Sequence, residues 1–224
     1  MHLEVFKVRL HSLKDFAKHY LMIVLSILTA LGLEAWIEHA HHEHAAQTAR
    51  VQIETEIRTN LEEVRASLAQ DSHQAKVLAT IRNALVEDFK ARKPAEAVTG
   101  HIRQLVTTDG FNLNLRWPML RHEAWDVAVA NQSASWMDAA RTRRYSAAYA
   151  SQRDMINSLG ANLALVMNGP RMIDTMTDLR IGDEQPREFL HVISQMTIML
   201  DQAQDNLSTL QSRLQAALED SSKA

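Results

Sequence analysis

Four imidazoles and two carboxylates fall within seven residues at Glu38-His39-Ala40-His41-His42-Glu43-His44. On a helix, His39 lies one turn from both His42 and Glu43, as Glu38 does from His42, so His39, His42 and Glu43 share one face. Imidazole and carboxylate donors in this arrangement suit zinc, copper or nickel, with the remaining ligands supplied by a second copy of the chain. The same residues also read as a polar collar, or as imidazoles that change charge near neutral pH. Just before them stands Glu34, at the edge of an apolar run, where a carboxylate is unfavourable by a few kcal/mol unless paired, protonated or able to reach water. Its place three residues before the end of the run favours snorkelling to the interface. Pairing or proton transfer between subunits is the alternative.

Other chemistry is absent or incomplete. His42-Glu43-His44-Ala45-Ala46 has Ala where the second His of a zinc-protease helix belongs, and His122-Glu123-Ala124-Trp125-Asp126 ends in Asp. Trp125 facing a core, with His122 and Glu123 outside, accounts better for the second segment. The six glycines build no nucleophile elbow and no phosphate loop. With no Cys, thiol catalysis, disulfides and thiolate metal sites are excluded. A net charge of −3 removes the electrostatic case for a nucleic-acid partner. Arg141, Arg143 and Arg144 form the one basic cluster, either a solvated helix face or a contact for an anionic partner such as a lipid headgroup or a nucleic acid. No catalytic residue and no cofactor is expected, so the chain reads as a non-enzyme.

The elements that would position these residues begin with Tyr20–Leu33, an uncharged run that extends past Glu34 to Ile37. Its 14 to 18 residues reach about 21 to 27 Å as a helix, against a hydrocarbon core of about 30 Å. A transmembrane anchor over residues 20–37 is the expected reading, ahead of a cleaved signal peptide or a buried soluble helix. Lys7, Arg9, Lys14 and Lys18 precede the run and no Lys or Arg follows until Arg50. Cationic flanks stay on the cytoplasmic side, so the N-terminus is expected inside and the remainder outside, in the periplasm of a bacterial inner membrane. The cytoplasmic tail, residues 1–19, carries Leu3, Phe6, Leu10, Leu13 and Ala17 on one helical face, as a helix lying on lipid would.

Beyond the anchor, Ile57, Leu61, Val64 and Leu68 open a seam of three- and four-residue steps that runs to Phe89, interrupted by Asp71 and Arg82. A cleaner seam includes Ile193, Met196, Leu200, Leu207, Leu210 and Leu214. Such repeats want coiled-coil-like neighbours, in the same chain or another. Asp71 and Arg82 are read as solvated positions on a wide helix face, with register-setting polar positions as the alternative. Low Gly and Pro usage argues for long helices. The expected fold is all-α: an anchor continuing into a stalk helix over 38–93, a cap of shorter helices over 94–185, and an antiparallel return helix over 186–224. Within the cap, helices are expected near 95–108, 118–131, 133–167 and 171–181, around a core of Trp117, Trp125, Trp136, Tyr145 and Tyr149.

The segments LSILTALGLEAW (25–36), EIRTNLEEV (56–64), MLRHEAWDVAVANQS (119–133) and YSAAYA (145–150) together resemble a loose group of uncharacterised proteobacterial single-pass membrane proteins, over roughly residues 15–150. The resemblance implies an inner-membrane anchor and a helical periplasmic domain, and carries over no catalytic residue. The His-rich stretch departs from that group. The expected role is a self-associating helical scaffold or an accessory subunit of a membrane complex, in contact with lipid and either with itself or with a partner protein. The alternative is a periplasmic sensor of metal or pH built on the His cluster.

Overall fold

A computed structural model describes residues 13–108, 111, 116–167 and 170–219, and every regular element among them is helical. Helix α1, Leu13–Lys90, is one unbroken helix of 78 residues, about 117 Å long at 1.5 Å per residue. Its length follows from composition, since no Gly or Pro occurs between Gly32 and Pro94. It ends where Arg92 turns left-handed (φ 54°) and the Lys93 N–H closes on the Asp88 carbonyl at 3.1 Å. Pro94 then starts the next helix, in keeping with its fixed φ. Helices α2 (Ala95–Thr108), α3 (Glu123–Ala130), a 3-10 turn (Ser133–Trp136), α4 (Ala139–Met167), α5 (Pro170–Ile181) and α6 (Pro186–Leu218) complete the order.

The two seams meet each other. Ala203, Leu207, Leu210 and Leu214 of α6 join Ile53, Ile57, Leu61 and Val64 of α1 in one core, with Leu68 packed against it. Ile193, Met196 and Leu200 join Ala75, Leu78 and Leu85 in a second. The end of α6 thus lies beside the first buried turns of α1 and its start beside the last, so the return helix is antiparallel, as expected. Asp71 departs from the solvated reading: it is buried, because its Oδ1 accepts the Arg116 N–H at 2.9 Å.

The expected cap over 94–185 divides in two. Helix α2 closes the far end, with Val98 and Ile102 in the second core, and α5 packs on α6 there. Helix α4 instead lies along α1 and α6, sending Tyr145, Ala148, Tyr149 and Met155 into the first core. The expected aromatic core is therefore corrected. Only Tyr145 and Tyr149 are buried and Trp125 is half-buried, whereas Trp117 and Trp136 are exposed at 39% and 52%. The tyrosines go inside with each hydroxyl donating to a carboxylate on α1, Tyr145 to Glu54 and Tyr149 to Glu56. Residues 118–122 form no helix, so the expected helix near 118–131 is only Glu123–Ala130, and the segment near 133–167 is split at Met137. Most of the expected tail helix, including Leu3, Phe6 and Leu10, lies outside the described residues.

Candidate functional site

From Phe16 to His41 every residue of α1 is exposed except the half-buried Val24. This stretch is long and apolar enough to cross a membrane, with a mean hydropathy of 1.9 over 18 residues and none of that window buried. Among the described residues, no other element covers this apolar surface. Glu34 stands exposed near its end. The Ser26 and Thr29 hydroxyls donate back to the Met22 and Leu25 carbonyls at 2.8 and 2.7 Å.

The His cluster follows directly. His42 approaches Glu38 at 3.4 Å, and its ring lies flat on Trp136 with centroids 3.7 Å apart. His39 and Glu43 are exposed on the same helix. Among the described residues, no three His, Asp or Glu side chains are grouped so as to hold a metal ion. The shared helical face thus brings His39, His42 and Glu43 to one open cleft without closing them into a ligand set. That cleft, about 630 Å³, is walled by His39, Glu43 and Arg50 of α1 and by Trp136, Asp138 and Arg141 across from them.

A second constellation escaped the sequence reading. Asn60, fully buried, accepts the Arg121 N–H at 2.9 Å and donates to the Arg121 carbonyl at 2.7 Å and to Gln152 Oε1 at 3.1 Å. Glu56 accepts from the Tyr149 hydroxyl at 2.6 Å and from the Ala124 N–H, at the start of α3, at 3.0 Å. Glu54 accepts from Tyr145 and is bridged by Arg50 and Arg58. With Asp71 on Arg116, these polar positions of α1 bind the chain from 116 to 124 as it runs back antiparallel to the helix. The segments EIRTN, LRHEA and YSAAY meet here. Polar residues at Glu56, Asn60 and Asp71 among the apolar seam positions were the available signal, but they read equally as a solvated edge until partners 45 to 93 residues away are known.

Electrostatics follow from this packing. Burial pushes the Glu54 carboxyl up, but hydrogen bonds from Arg50 and Tyr145 and the nearby Arg58 outweigh it and hold it below the ordinary value. Tyr145 is pushed up to about 12 by burial and by Glu54, and Tyr149 is raised further by burial against Glu56. Asp71 is raised by burial, with the Arg116 N–H only partly offsetting it. His122 is raised by its hydrogen bond to Asp126, at 2.7 Å.

That His122–Asp126 pair borders a cleft of about 240 Å³ with Trp125, Tyr149, Arg153 and Ile156. Trp125 stacks on Tyr149 at 5.5 Å while His122 and Glu123 face outward, as the sequence suggested. The Tyr149 hydroxyl is committed to Glu56 and Gln152 to Arg121. The cleft therefore offers an acid–base pair with no nucleophile beside it.

At the far end of the molecule, Asp88 is bridged by His101 and by Lys93 at 2.6 Å. Burial raises its carboxyl, and these two partners outweigh burial and lower it. Arg103 holds Glu184 and the Gly182 carbonyl, with Gly182 at φ 78° closing α5. These contacts tie α2 to the α5–α6 turn.

Comparison with protein-family models, with curated proteins and with solved structures finds no match.

Proposed function

We propose that this chain is a non-enzymatic, single-pass membrane protein, with its short N-terminal tail in the cytoplasm and its helical domain in the periplasm of a bacterium. It serves as a helical scaffold or an accessory subunit of a membrane complex. The observation that carries this reading is the bare apolar stretch of α1, continuous with the helix that forms the spine of the domain. The Lys and Arg residues before that stretch, with none after it until Arg50, support this orientation. Because both seams are occupied within the chain, the apolar stretch with Glu34 is the natural assembly surface.

The absence of cysteine makes topology directly measurable. Single cysteines at Lys7 and Glu96 should react differently with an impermeant maleimide on spheroplasts, Glu96→Cys labelling and Lys7→Cys staying protected. Resistance to alkaline carbonate extraction should accompany this. The mass of the gently solubilised particle then separates the roles. A multiple of 25.3 kDa supports a scaffold, a stoichiometric second protein supports an accessory subunit, and a lone monomer overturns both.

A second reading, a pH-responsive module, rests on the stacking of His42 against Trp136 beside Glu38. Indole emission should change between pH 8 and pH 5 in the wild type and stay flat in His42→Gln. A flat wild-type curve sinks this reading.

A further inference from the structure

Burial along α1 fixes where the domain begins. Residues 25–41 are exposed, His42 is half-covered by Trp136, and Ala46 is the first buried position. Counted from Ile37, the end of the apolar run, His42 with its Trp136 contact lies about 7.5 Å farther along the axis and Ala46 about 13.5 Å. The headgroup layer on each side of the hydrocarbon core is of similar depth, about 5 to 7 Å. On the membrane reading proposed above, on which this inference rests, the near end of the domain stands at the outer face of the headgroup layer, and the cleft, whose lining begins at His39, opens into it.

The cleft of about 630 Å³ is located at that end. Its far wall is the start of α4, so the one basic cluster of the sequence, Arg141, Arg143 and Arg144, is placed beside the membrane exit. Trp136, half-exposed, stands at the same level, the depth at which indoles concentrate in membrane proteins. The charges facing one another here are mixed. Arg50 and Arg141 line the cleft together with Glu43 of α1 and Asp138, whose Oδ2 accepts the Arg141 backbone N–H. Two guanidinium groups against two carboxylates make a poor attractor for a purely anionic surface. They match a group that carries a phosphate and an ammonium a few ångströms apart. Guanidinium is the side chain best shaped for phosphate, and carboxylates complement an ammonium.

We propose that this cleft seats the headgroup of an aminophospholipid from the leaflet into which α1 emerges, its phosphate toward Arg141 and its ammonium toward Glu43 and Asp138. The flat His42–Trp136 pair forms the wall between them. Occupancy fixes the domain end-on to the bilayer, so that the long axis of α1 is held by a lipid as well as by its own stiffness.

The test uses the full chain, purified in mild detergent and given equal amounts of phosphatidylethanolamine and phosphatidylglycerol, with retained lipid read by native mass spectrometry. Phosphatidylethanolamine should be retained over phosphatidylglycerol by about tenfold, and Arg141→Gln and Glu43→Gln should each lower retention about tenfold. Glu43 is exposed and contributes to no core, so its variant tests the site even if Arg141→Gln loosens the fold. Arg143→Gln, outside the cleft lining, should retain lipid as the wild type does. Equal retention of the two lipids, or unchanged retention in Glu43→Gln, overturns the proposal. Displacement of the lipid by millimolar phosphoethanolamine overturns a lipid as the occupant in favour of a soluble phosphate ester. A chain that carbonate extracts from membranes removes the membrane reading itself, whereas one that resists extraction yet shows no preference for phosphatidylethanolamine removes this inference alone.

Discussion

Asn60 uses its side-chain amide on both backbone groups of Arg121 and on Gln152, in a position with no access to water. An alanine there leaves the Gln152 Oε1 and the Arg121 N–H without their partner, a loss of about 2 to 3 kcal/mol. Thermal melting followed by circular dichroism should show Asn60→Ala melting roughly 5 to 10 °C lower, and an unchanged midpoint would show that water replaces the amide. Asp88 and Asp71 make opposite predictions about pH. The folded Asp88 carboxyl lies below its unfolded value, so its contribution is full above about pH 4 and is lost as the pH falls through the lowered folded value. Asp88→Asn should flatten part of the acid-induced drop in melting temperature. The folded Asp71 carboxyl lies above its unfolded value, so its ionised form opposes folding at neutral pH and protonation relieves that opposition. Asp71→Asn keeps an oxygen for the Arg116 N–H and loses the charge, and should melt no lower than the wild type at pH 7. A clear drop in that variant would show that Arg116 needs the charge.

At the scale of elements, α6 joins the two cores: its end closes one with α1 and α4, and its beginning closes the other with α1 and α2. Leu210 is wholly buried in the first. Leu210→Ala should destabilise by about 3 to 4 kcal/mol through lost transfer energy and the cavity left behind, read as a fall in melting temperature, whereas Ile198→Ala on the exposed face should change little. Similar melting of the two variants would mean that α6 does not pack as described. The seams were legible because a three-and-four spacing is a property of one helix. Helix α4 was legible only as a helix, its hydrophobic pattern being weak and its inward face marked by Tyr145, Tyr149 and Gln152, whose burial depends on Glu54, Glu56 and Asn60 on another helix.

The whole molecule is a spine with a domain built along one end of it. Since burial starts at Ala46, a chain beginning at residue 38 should fold, dissolve without detergent and sediment as a single copy. The full chain should assemble with itself or with a partner through the bare stretch of α1. A shortened chain that aggregates or oligomerises would relocate the assembly surface to the domain.

Residue types and spacing alone determined that the fold is all-α, that α1 runs unbroken from the apolar stretch into the stalk, and that α6 carries one apolar face. Each of these depends on local chain stiffness and on a periodicity contained within a single helix. Only the tertiary structure decided that the seams pair within one chain, that Asp71 is buried, that Trp136 faces out beside His42, and that the basic start of α4 lies across from the His cluster. Those outcomes depend on which polar groups find partners across 45 to 93 residues of chain. A buried carboxylate with a partner and a solvated one without are the same letter in a sequence.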